Sequence, residues 1–134
     1  MSEDHEKYAF ARVSDGMTHK ARMPEQLSES CNTRKPVSMY ITINDHGSIK
    51  PFEMFARFDV PEHHELVTVI TRMASMALRE GVPAEVVAKE LQDISSPTTR
   101  HIIPGTSETC PSITARIGQV LGRHIEQQQR GEAA

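Results

Sequence analysis

Tryptophan is absent from this 134-residue chain, and aromatic side chains make up only 4% of it. A core built on large rings is excluded, so the core must be aliphatic and rich in methionine. The apolar fraction is also low, at 37%, so part of the chain is expected to lie outside any core. No apolar run approaches the roughly 20 residues that a membrane-spanning helix requires. Two cysteines, Cys31 and Cys110, are too few for a disulfide framework. Positive charge is not in excess. The formal net charge of −3 gives no reason to expect nonspecific binding to nucleic acid or to anionic membrane. Met1 to Lys7 is acidic and polar, unlike a secretory signal. The length suits one domain, and a cytoplasmic protein with free thiols is the expectation.

The strongest pattern runs from Glu62 to Ile94. Leu66, Val69, Ile70, Met73, Met76 and Ala77 recur at the three-four spacing of a buried helical stripe. Glu65, Thr68, Arg72, Ser75 and Arg79 fall on the other side. Pro61 suits a first helical turn, and Gly81 suits the left-handed position past the end. Val82-Pro83 then restarts the chain into a second helix. Its expected buried side is Val86, Val87, Leu91 and Ile94.

Upstream, Pro36 to Asn44 reads as a strand, with Met39, Ile41 and Ile43 alternating against Tyr40 and Thr42. Asp45 to Ser48 is a turn. Lys50 to Phe58 is the partner strand, with Phe52, Met54, Ala56 and Phe58 on one face. A lone hairpin is marginal in water, so the helices must cover it. Residues 1–26 read as a polar extension, with a short strand near Tyr8 to Val13 as its only ordered candidate. Leu27 to Thr33 is a second ambiguous stretch that could begin the sheet. After Ser95 comes a loop in which Ile102-Ile103 tucks inward. A third helix is expected from Cys110-Pro111 to about Gln127, with Ile113, Ile117, Val120 and Leu121 as its stripe, followed by a polar, fraying tail. The expected fold is therefore α+β. A small antiparallel hairpin (36–58) packs on two consecutive helices (62–80 and 83–94) and a C-terminal helix (110–127), all within one domain spanning 27–127.

Ala115, Gly118 and Gly122 form a smooth strip on the third helix. Each interior glycine costs roughly 1 kcal/mol against alanine, so a close backbone neighbour is expected, either within the domain or across an interface. Cys110, at a helix start, has either an activated thiolate or an inert, partly buried thiol. His63 and His64 are adjacent and diverge on a helix. With His46 and His101 they make no metal-ligand spacing. Thr98 to His101 and Gly105 to Thr109 lead into a helix start that can hold an anion, although capping by Ser107 or Thr109 accounts for the same residues.

Several runs taken together carry a resemblance. They are Met39-Tyr40-Ile41-Thr42-Ile43-Asn44, Lys50 to Phe55, Arg72-Met73-Ala74-Ser75-Met76-Ala77-Leu78-Arg79-Glu80-Gly81-Val82-Pro83, Leu91 to Ile94, and Cys110-Pro111-Ser112-Ile113. Over residues 37–124 the chain resembles the TSCPD domain, named for a Thr-Ser-Cys-Pro-Asp motif. Here Cys110-Pro111 keeps the motif's centre, and Ser112 stands where Asp is expected. The resemblance implies a module found at the C-terminal end of many cobalamin-dependent (class II) ribonucleotide reductases and in small stand-alone proteins, phage-encoded ones among them. The reductase barrel, with its radical cysteine and cobalamin site, needs several hundred more residues. An accessory module with no cofactor and no metal is therefore implied.

The leading expectation is a non-catalytic binding or regulatory module. It would act on a protein partner (a ribonucleotide reductase, another enzyme or a host protein) as a homo-oligomer. Its expected contact surfaces are Ala115, Gly118 and Gly122, and the helical face bearing Arg72 and Arg79. The alternative is a nucleotide or phosphate-ligand binder, such as a phage factor that sequesters a signal or blocks a host system, with Arg72, Arg79, Arg100 and Ser107 as contacts. An enzyme built on Cys110 or a histidine cluster comes last.

Overall fold

The computed structural model describes residues 15–23, 37–46, 50–96, 101–102 and 109–133. The expected hairpin is present as β2 (Val37–His46) and β3 (Lys50–Phe58), paired antiparallel with Ile41 opposite Ala56 and Ile43 opposite Met54. Its alternation is as read: Met39, Ile41, Ile43, Phe52, Met54 and Phe58 are buried on one face. A third strand, β1 (Asp15–Met23), pairs antiparallel with the other edge of β2, giving the order β1-β2-β3. It lies inside the stretch expected to be a polar extension. Its inward residues include only Ala21 and Met23 as buried apolar groups, and His19 faces the same way. Met17, Ala21 and Met23 do alternate with Thr18, Lys20 and Arg22, but without β-branched residues on the inward face and with His19 interrupting it, the pattern is weak. The strand candidates near Tyr8 and Leu27 lie outside the described residues.

A turn of 3-10 helix, Pro61–His63, leads into α1 (His64–Arg79). Gly81, at φ +96°, ends it as expected. There the Gly81 N–H donates to Leu78 O and the Val82 N–H to Ala77 O, which satisfies carbonyls the helix leaves open. Pro83 then starts α2 (Ala84–Gln92). A two-residue ladder joins β4 (His101–Ile102) and β5 (Thr109–Cys110), and α3 (Ile113–Ala133) closes the fold. The architecture is α+β. α1 packs on β3, and α3 packs on α2 and reaches β1 and β2.

Three expectations change. First, α1 buries Val67, Thr71, Ala74, Ser75 and Leu78; of the expected stripe, Ile70 and Ala77 pack partly buried against the core, whereas Leu66, Val69, Met73 and Met76 are exposed. The reason is the edge of β3. Ser75 Oγ accepts the Met54 N–H at 2.9 Å and lies 3.1 Å from Met54 O and 2.7 Å from Thr71 O. An unpaired backbone donor on an edge strand is costly to bury, and a helix presenting serine and alanine can come close enough to satisfy it. Second, α2 buries Val87 and Ala88, whereas Val86 and Ile94 are exposed. Small Ala88 faces α3, where close approach is required. Third, α3 starts at Ile113 rather than Cys110 and runs to Ala133, past the expected fraying point. Ser112 supplies the cap in place of Ser107 or Thr109. Its hydroxyl accepts the Ala115 N–H at 2.9 Å and donates to Ile94 O at 2.6 Å. Serine and aspartate both cap helices well, so the departure at Ser112 leaves this function intact. The stripe Ile113, Ile117, Val120 and Leu121 is buried as expected.

Candidate functional site

Once α1 turns its Ser75 side to the sheet, its more apolar side faces outward. Leu66, Val69, Met73 and Met76 are 46–56% exposed. They stand at i, i+3, i+7 and i+10, a narrow seam of period 3.5 rather than the broader stripe of a core-facing helix. Val82 and Val86 are also exposed, beyond the helix end. Large apolar side chains grouped on one face mark interaction surfaces.

The charged residues around the seam differ in what they are doing. Arg79 Nη2 donates to Glu53 Oε2 at 2.9 Å, and Glu53 also accepts from Asn44 Nδ2 at 2.7 Å. Arg79 therefore helps tie α1 to the hairpin. Arg72 is exposed and has no hydrogen-bond or ion-pair partner among the described residues. It flanks Val69, Met73 and Met76 on the helix surface. The run Arg72 to Pro83 thus divides by role. Ser75 closes the strand edge, Leu78 is core, Arg79 holds Glu53 and Gly81 makes the turn, while Arg72 is left facing outward.

The other expected site residues are placed as follows. Arg100 and Ser107 lie outside the described residues, so no joint site with Arg72 is formed by what is seen. Ala115 is fully buried. Gly118 faces α2 so closely that an added Cβ would lie 2.7 Å from Ala88 O and Leu91 Cβ and 2.8 Å from Gln92 N. At Gly122 it would lie 3.1 Å from Gln92 Nε2. Of the two readings of this strip, the close neighbour is found within the chain. Cys110 is buried on β5, and its S–H donates to Ser112 O at 3.2 Å. Burial pushes its thiol up, and nearby Arg116 and the Ser112 contact only partly oppose this. That is the opposite of an activated thiolate. His63 stacks on Phe58 and His46 meets the edge of Phe52, each in its own ring contact.

One constellation had no signal in the sequence. His124 on α3 is 1% exposed, and its Nε2 lies 3.0 Å from both carboxylate oxygens of Asp45. Facing a carboxylate, Nε2 carries a proton, and Nδ1 lies within hydrogen-bond reach of His19 Nε2, 2.8 Å away. Three residues separated by 26 to 105 positions meet because Asp45 continues the inward alternation of Met39, Ile41 and Ile43 on β2, beneath α3. The chain joins β1, β2 and α3, and it works as an internal tie.

Among the described residues, no helix is long and apolar enough to cross a membrane. A family model described as the TSCPD domain matches residues 11–125, most of the chain, including β1 and all but the last turns of α3. No curated protein and no solved structure matches it.

Proposed function

This chain belongs to the TSCPD domain family, and from that premise we propose that it is an accessory binding module that acts by docking a protein partner on the outer face of α1 and carries out no turnover of its own. The observation that carries this reading is the inverted helix: α1 leaves Leu66, Val69, Met73 and Met76 outside while burying a more polar face. A narrow apolar seam of period 3.5 fits a helix laid along it. Arg72 at its flank calls for a carboxylate on that helix, and methionine and arginine are both favoured at contact surfaces. The resemblance to the C-terminal domain of cobalamin-dependent reductases supports a ribonucleotide reductase as the partner class.

The test is binding of the purified chain to a class II reductase, followed by biolayer interferometry. Val69→Asp and Met73→Glu should each weaken binding at least about tenfold. Arg72→Glu should weaken it less, and all three should melt close to the parent. Unchanged binding by the three variants would sink the reading. Light scattering on the chain alone adds a second arm. A dimer that Met73→Glu splits would assign the face to a second copy and overturn the reductase assignment.

A further inference from the structure

The face of the sheet turned away from the helices carries a second, independent feature. Register places Thr18, Thr42 and Phe55 in one cross-strand row and Lys20, Tyr40 and Arg57 in the next. Phe55 is 54% and Tyr40 40% exposed. The two rings are diagonal neighbours across β2 and β3, within reach of one another. Beside them, across β1 and β2, Thr18 Oγ1 and Thr42 Oγ1 are hydrogen-bonded at 2.8 Å. These side chains, with Arg57, line a shallow concavity of about 390 Å³.

Charge on this face does not follow the chain as a whole. The formal net charge is −3, yet Lys20, Arg22 and Arg57 stand exposed around the concavity. Among the described residues, the acids flanking the two rows are Glu53, held by Asn44 and Arg79, and Asp59, 3.3 Å from Arg57. The Arg57–Asp59 pair is highly exposed on both sides, and such pairs hold little energy, so Arg57 can turn to another anion. The face therefore offers aromatic surface for a planar ring, hydroxyls for polar edges, and cations one row away. Adjacent rows are roughly 7 Å apart along a strand, about the span of a sugar between a base and its phosphate.

We propose that this concavity binds a nucleoside phosphate. The base stacks on Phe55 and Tyr40, Thr18 and Thr42 meet its edge or the sugar, and Lys20 and Arg57 hold the phosphate. Exposed aromatics flanked by cations on a sheet are how bases are stacked without a deep pocket. The site does not involve the α1 seam, so it stands or falls separately from the partner reading.

The experiment is titration with adenosine monophosphate, adenosine, inorganic phosphate and a short oligo-deoxyadenylate, read by backbone amide shifts and by tyrosine fluorescence, which no tryptophan masks. The monophosphate should shift Thr18, Thr42 and Phe55 amides and bind at least about tenfold better than adenosine or phosphate alone. Phe55→Ala should lower its affinity about tenfold or more. Lys20→Ala should lower the monophosphate's affinity and spare adenosine. Both positions are exposed, so these variants fold. An oligonucleotide that binds more tightly than the monophosphate assigns the site to a strand, and equal or weaker binding assigns it to a free nucleotide. No shift at millimolar concentration with the monophosphate or the oligonucleotide, or undiminished binding by Phe55→Ala, would overturn the proposal.

Discussion

His124 shows what one buried side chain can hold together. Its ring bonds the Asp45 carboxylate on one side and His19 on the other, so truncating it leaves a carboxylate in the interior with its donor gone. His124→Ala should cost roughly 3 kcal/mol or more in urea unfolding at neutral pH. His19 adds a pH dependence. Burial lowers its affinity for a proton, His124 lowers it further, and Asp45 opposes both. The unfolded chain, titrating near about 6.5, takes up a proton there that the folded chain resists. Stability contributed by this position is therefore intact at pH 8 and declines as pH falls through the unfolded value. Melts at pH 7.5 and 5.5 should show that loss, and His19→Asn should reduce it. An equal loss in the variant would clear His19. Cys110 gives a simpler check. In a Cys31→Ser background, a buried thiol raised in pKa should react with a thiol reagent at pH 8 far more slowly when folded than in urea.

At the scale of elements, α1 explains both what the sequence reveals and what it conceals. The helical period was legible, as were the Gly81 stop, the Pro83 restart and the inward residues of β2 and β3. The face was not. Periodicity ranks two stripes by apolar character, and by that measure Leu66–Val69–Met73–Met76 exceeds Val67–Thr71–Ala74–Ser75–Leu78. What decided the orientation was a hydrogen bond to the Met54 N–H on an edge strand, and no pattern in the helix announces that need. The difference is measurable with two neighbours. Val67→Asp buries a charge and should cost several kcal/mol or abolish folding, whereas Val69→Asp should stay within about 0.5 kcal/mol of the parent. Ser75→Ala should cost about 1–3 kcal/mol, because it strips a buried donor of its acceptor. The glycine strip was legible as a demand for close approach, and α2 meets it. Gly118→Ala therefore forces backbone movement at Ala88 and Gln92 and should lose about 1–3 kcal/mol, despite alanine's better helix propensity.

Taken whole, the molecule is a two-layer body with two exposed faces of different chemistry. One is the outer side of α1, apolar with Arg72 at its flank. The other is the outer side of the sheet, aromatic and cationic. Neither could be assembled from the sequence alone. The first required knowing which way α1 turns. The second required β1, whose Thr18 and Lys20 complete the two rows but which lies in a stretch that reads as a polar extension. The two faces share no residue: one is built on α1, the other on β1, β2 and β3. Substitutions at separated sites without shared partners add within roughly 0.5 kcal/mol. The Met73→Glu, Phe55→Ala double variant should therefore unfold at the sum of its two single effects. It should also lose partner binding and nucleotide binding each to the same degree as the corresponding single variant. If Met73→Glu instead weakens nucleotide binding, the faces communicate through the α1–β3 contact. The most direct carrier would then be Ser75 on the β3 edge, and Ser75→Ala should reproduce the loss without touching either surface.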